Sequence, residues 1–184
     1  MPSYMGERNV PIIFLIGLVM YMDFIKEALA FGFDNAAVID VKDLVFVLEY
    51  RQFCEENLCG NFNLVPSCPP VCGTPEEMYQ KALNYKKALI LQTVLESPEE
   101  QLDVKKAKHD LNILTEKLHK KISVTTDGNP LIISAGPYKQ YSCMSAYGID
   151  AQKMAEAANM LCWAQDGKIR LFSLILFNPK KSQF

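Results

Sequence analysis

Residues 51–73 read RQFCEENLCGNFNLVPSCPPVCG and hold four of the chain's six cysteines. Cys54, Cys59, Cys68 and Cys72 follow the spacing C-x4-C-x8-C-x3-C. Four thiolates this close in sequence can converge on one tetrahedral metal or on the corners of an iron–sulfur cluster. In an oxidising compartment the same residues would pair as disulfides. Gly60 and Gly73 each follow a cysteine, and glycine lets the backbone turn tightly enough for amide N–H groups to face sulfur. Pro69 and Pro70 narrow the freedom of the unmetallated loop.

The spacing leaves the metal open. Structural zinc sites use pairs close to C-x4-C and C-x3-C, while the Cys68–Pro69 step is like the Cys-Pro that closes bacterial ferredoxin motifs. Of the remaining cysteines, Cys162 sits beside Leu161 and reads as a small core residue. Cys143 lies in a polar loop and is an additional candidate ligand. His109 and His119 are ten residues apart on one helix, so they do not share a face and read as surface residues. The sequence has no Ser-His-Asp pattern, Walker lysine loop or G-x-G-x-x-G, and offers no catalytic residue. Net charge is −2 with no long basic run, which argues against a nucleic-acid surface.

The rest reads as one α+β domain, a central mixed sheet with packed helices and a cysteine-rich metal loop. Strands are expected at 36–41, 44–50, 88–95, 131–134 and 169–177, with the second leading into Cys54. Thr74, Pro75 and Glu77 form a capping box at one helix start, and Ser97, Pro98 and Glu100 repeat it before a long helix to about Ile122. That helix carries Val104, Ala107, Leu111, Leu114, Leu118 and Ile122 as one apolar stripe. Residues 127–130 read as a turn. Asp150 caps a helix expected to reach about Ala164, with Met154, Ala158 and Leu161 inward. Residues 10–22 carry no charge, too short a run to span a bilayer but the length of a signal-peptide core. Residues 1–21 are therefore an apolar leader or an over-extended start, and 22–178 the domain.

The cysteine motif also resembles a known family. Cys54, Cys59-Gly60, then Cys68-Pro69-Pro70 and Gly73-Thr74 are similar to the C…CG…CPPxxG core of a family of predicted metal-binding proteins, domain of unknown function 2284. Residues 146–150 (AYGID) resemble its S-x-E-A-x-G-I-D segment, and the similarity runs from Met22 to Phe177. Three features depart from the pattern. The family's second cysteine cluster is missing after Ala135 and Gly136, where only Cys143 remains nearby. Phe62 stands where the family has Tyr, and Cys72 has no counterpart. On this resemblance Cys72 replaces a lost ligand and completes a four-cysteine site, or the chain has lost a cluster and its activity together. The resemblance implies a cytoplasmic, anaerobic setting and favours Met22 as the natural start.

The expectation is a cytoplasmic metal-binding protein. Cys54, Cys59, Cys68 and Cys72 would hold an iron–sulfur cluster for electron transfer or redox sensing with an unidentified redox partner, without nucleic acid or membrane. The alternatives are a structural zinc module and a secreted, disulfide-bonded protein.

Overall fold

A computed structural model describes residues 12–96 and 101–180, with only the backbone for 12–18 and 101–102. Four strands form one sheet: β1 (Asn35–Asp40), β2 (Lys87–Leu95), β3 (Thr126–Ile133) and β4 (Ile169–Pro179). Their order is β1-β2-β4-β3, and every neighbouring pair is antiparallel. The α+β class is as expected, but the sheet is antiparallel throughout rather than mixed. Helix-separated strands suggested parallel neighbours. Instead β4 returns between β2 and β3 and runs against both.

The apolar run of β2 is continuous because both of its faces are covered. Ala88 and Ile90 point to one buried cluster, Leu89 and Leu91 to the other, following the two-residue period of a strand. β4 divides in the same way, with Phe172, Leu174 and Leu176 on the first side and Leu171, Ile175 and Phe177 on the second. Fully burying each such side chain stabilises by about 1.5–3 kcal/mol.

Two long helices cover the second side: α1 (Ile12–Phe31) and the helix at Gln101–Ile122. The latter's stripe behaves as its spacing predicts. Leu111, Leu118 and Ile122 are buried, and Val104, Ala107 and Leu114 pack beside them. Its expected capping box at 97–100 lies outside the described residues. α1 continues unbroken through Met22, and Tyr21 rests its ring against Phe177 with centroids 6.2 Å apart.

Short elements cover the first side and carry the cysteines. They are α2 (Gln52–Glu55), α3 (Pro75–Leu83), α5 (Met144–Tyr147) and α6 (Ala151–Ala157), α4 being the Gln101–Ile122 helix of the other side. The Thr74 capping box forms as predicted: Glu77 N–H donates to Thr74 Oγ1, and Thr74 N–H to Glu77 Oε2.

Three expected elements differ. Residues 44–50 do not make a strand. A 3-10 turn at Val41–Asp43 diverts the chain from the sheet edge, and a second follows at Leu48–Arg51. The segment between them bonds instead to the loop after α5, with Val47 N–H on Gly148 O at 2.6 Å and Asp150 N–H on Val45 O at 2.9 Å. Residues 127–130 are not a free turn but an irregularity inside β3, where the register on β4 shifts between Asp127 and Leu131. α6 ends at Ala157, because Asn159 takes a left-handed φ of 53° and Met160 N–H closes on Ala155 O, a common helix stop. Met154 and Ala158 are buried as predicted, but Leu161 is exposed beyond the helix end.

Candidate metal centre

The loop from α2 to α3 is built from tight turns rather than regular structure. Asn57 and Asn63 adopt left-handed φ values, and the Pro69–Pro70 bond is cis. Cys68 N–H bonds Val65 O, and Cys72 N–H bonds Cys68 O, so these two sulfurs are set on consecutive turns. The expected glycine amides do not serve sulfur. Gly60 N–H goes to Asn57 O and Gly73 N–H to Pro70 O, since closing each turn uses the amide. The backbone at the start of α5 instead favours the ionised form of Cys143.

Cys68 is 4% exposed, Cys54, Cys72 and Cys143 are half-buried, and Cys59 is exposed. All six cysteines are free. Five of them are electrostatically close. Cys54 bonds Cys143 and also feels Cys68, while Cys68 feels Cys143, Cys59 and Cys72. The Cys54 thiol donates to Cys143, which pushes Cys54 up and Cys143 down in pKa, with burial reinforcing the first and N–H groups the second. Burial first, then the neighbouring sulfurs, pushes Cys68 up to about 11. Cys143 thus comes to the loop cysteines from the far end of the chain. Cys162 is 6% exposed and packs with the apolar core, as predicted.

Arg51 was not singled out by the sequence, yet it joins these parts. It is 6% exposed, and its Nη1 donates to Ala146 O at 2.9 Å. Its Nη2 donates to Gly73 O and lies 4.0 Å from Cys72 Sγ. Among the described residues no carboxylate pairs with it. An unpaired buried cation is costly, and thiols beside it offset that cost: Arg51 favours the ionised forms of Cys54 and Cys68. The histidines lie apart. His109 packs edge-on to Tyr138, and the half-buried His119 bonds Pro130 O at 2.9 Å.

This donor set suits a thiophilic metal: soft sulfur, a compensating guanidinium, and neither imidazole nor carboxylate among the interacting groups. The Ser67 hydroxyl, next in chain to Cys68, is buried with no partner among the described residues, and an acceptor on a bound group would satisfy it. Among the described residues, no three Cys, His, Asp or Glu side chains are gathered closely enough to hold a single ion. No helix among them is long and apolar enough to cross a membrane.

Neither the curated proteins nor the solved structures offer a match to this chain. One family model does match, over residues 37–140, which includes the four loop cysteines and stops short of Cys143. Because that span is more than half of the 184 residues, the chain belongs to the predicted metal-binding protein family DUF2284.

Proposed function

We propose that the thiols beside Arg51 hold an iron–sulfur cluster used for electron transfer or redox sensing with a partner protein. Cys54, Cys59, Cys68 and Cys72 are the loop's ligands, and Cys143 is the additional one. The observation that carries this reading is a buried guanidinium beside Cys54, Cys68 and Cys72, with Cys59 and Cys143 coupled to those thiols. A single zinc ion, with Zn–S bonds of ~2.3 Å, needs its sulfurs only about 3.8 Å apart. An iron–sulfur cluster spreads its cysteines over several metal atoms and so takes sulfurs set farther apart.

Such a group would supply one-electron chemistry that no side chain here provides. The chain's own residues set its surroundings. Cys68 keeps its sulfur from water, Arg51 offsets the thiolate charge, and the hydrogen bond from Cys54 favours the ionised Cys143 sulfur. Hydrogen bonds and positive charge at sulfur both favour the more negative, reduced state. Exposed Cys59 leaves one edge open to a partner.

The test is anaerobic purification followed by metal and acid-labile sulfide analysis with an absorption spectrum. Iron with sulfide and broad visible absorption supports the reading. Stoichiometric zinc in a colourless sample would replace it with a structural module, and metal-free oxidised protein would point to disulfides.

A further inference from the structure

The sulfur cluster borders a hollow of about 400 Å³, whose walls include Cys54, Cys59 and Cys143 as well as Trp163 and Arg170. A larger hollow of about 810 Å³ adjoins it, sharing Cys59, Lys108 and Gly136 and adding Lys105, His109 and Asn112. Each falls in the ~300–1,000 Å³ range of small-molecule sites. Among the described residues no Asp or Glu borders either one, although acids outnumber bases 21 to 19 in the chain.

Only part of the positive charge on this wall is paired with carboxylates among the described residues. Lys106 pairs with Asp110, Lys139 with Glu116 and Arg170 with Asp166. Among the described residues, Lys105 and Lys108 form no ion pair. A cleft lined by one sign of charge concentrates ions of the other. The wall facing these lysines is also fixed in place. Asn112 clamps Ala135 through both of its amide atoms, Nδ2 to Ala135 O at 3.1 Å and Ala135 N–H to Oδ1 at 2.9 Å. The lysines therefore meet a firm loop, with apolar Leu58 and Trp163 on the rim, 88% and 76% exposed.

We propose that this cleft binds a small organic anion, a carboxylate- or phosphate-bearing molecule with an apolar body, its charge on Lys105 and Lys108 and its body along Leu58 and Trp163 beside the thiols. The inference goes beyond the metal reading and stands on the cleft's charge and shape, so it holds whichever metal the cysteines bind.

Trp163 is the chain's one tryptophan, so energy transfer from it reports occupancy of this cleft. The full-length protein is titrated with 8-anilinonaphthalene-1-sulfonate, an aromatic anion, with tryptophan excitation. Saturable transfer is expected, with Kd raised at least tenfold in the double variant Lys105→Glu/Lys108→Glu and unchanged in Lys106→Glu. N-phenyl-1-naphthylamine, which lacks the sulfonate, should bind wild type and double variant alike. Equal sulfonate binding in the double variant, or an equal loss in Lys106→Glu, overturns the proposal. Circular dichroism checks that the double variant folds. Should it not, Lys108→Gln replaces it, with about a threefold rise in Kd expected and no change overturning the idea.

Discussion

The Cys54 thiol donates its proton to the Cys143 sulfur, joining the end of the sheet's edge connection to the start of α5. Burial disfavours a second negative charge at Cys54, while the hydrogen bond from Cys54, foremost, favours the first at Cys143. The pair therefore carries one proton and one charge as a unit. A thiophilic metal bound by the pair would replace that shared proton, because ligation requires both sulfurs deprotonated.

Replacing Cys54, Cys68 or Cys143 with Ser is expected to remove more than half of the bound metal. Cys59→Ser should lose less, because exposed Cys59 can be substituted by a solvent ligand. Cys162→Ser should leave metal content unchanged, since Cys162 belongs to the core. Metal per chain after anaerobic purification checks all five variants. Full occupancy in Cys68→Ser would remove the most buried sulfur from the assignment.

Arg51→Leu should destabilise the fold by roughly 3 kcal/mol, because it strips donors from the carbonyls of Ala146 and Gly73 and each orphaned acceptor costs about 1–3 kcal/mol. Arg51→Lys should recover only part of this, as an ammonium lacks the fork that spans both carbonyls. Urea unfolding midpoints measure both. A midpoint within error of wild type for Arg51→Leu would show that the guanidinium does not join the loop to α5.

The difference between Cys68 and Arg51 shows where the sequence is readable. Clustered cysteines announce chemistry because thiols are rare and their spacing is local. The capping box at Thr74 and the stripe on α4 are equally local patterns, and both form as read. Arg51 gives no such sign. An arginine after an apolar run reads as solvated, and its burial follows only once α5 and Gly73 close over it. Residues 44–50 misled for the same reason. Their β-branched composition fits a strand, but the partner they find is the 148–150 turn, a tertiary choice that composition cannot encode. The place of Cys143 likewise depends on β3 ending at Ile133 and a loop returning to Ser134, whose N–H bonds Ser142 O at 2.9 Å.

Gly148→Ala is expected to cost roughly 3 kcal/mol. Gly148 has φ of 71°, and an added Cβ would lie 2.6 Å from Val47 O, a backbone atom that already accepts from Tyr50 N–H at 3.0 Å. Gly60→Ala should cost only about 1 kcal/mol, since its left-handed φ is the sole penalty and nothing lies within 4 Å. Thermal unfolding of the two variants side by side measures the contrast. Equal losses would mean that the clash at Val47 relaxes freely.

Acid should weaken the Asp166–Arg170 pair in a defined window. The hydrogen bond from Arg170, foremost, holds the Asp166 carboxyl at about 2. Because the folded-state value lies below the ordinary carboxylate value, the pair's contribution is fully present above about pH 4. It then fades as pH falls through about 2. Asp166→Asn removes this acid-side dependence and leaves Arg170, whose side chain is 8% exposed, unpaired at the wall of the sulfur-lined hollow. That variant should therefore bind the aromatic sulfonate more tightly at neutral pH, by about two- to threefold for one added charge at low dielectric screening. Carboxyl NMR titration and the Trp163 transfer assay read the two effects separately. A carboxyl titrating near pH 4, or unchanged sulfonate affinity, would show that Asp166 does not govern the charge Arg170 presents to the cleft.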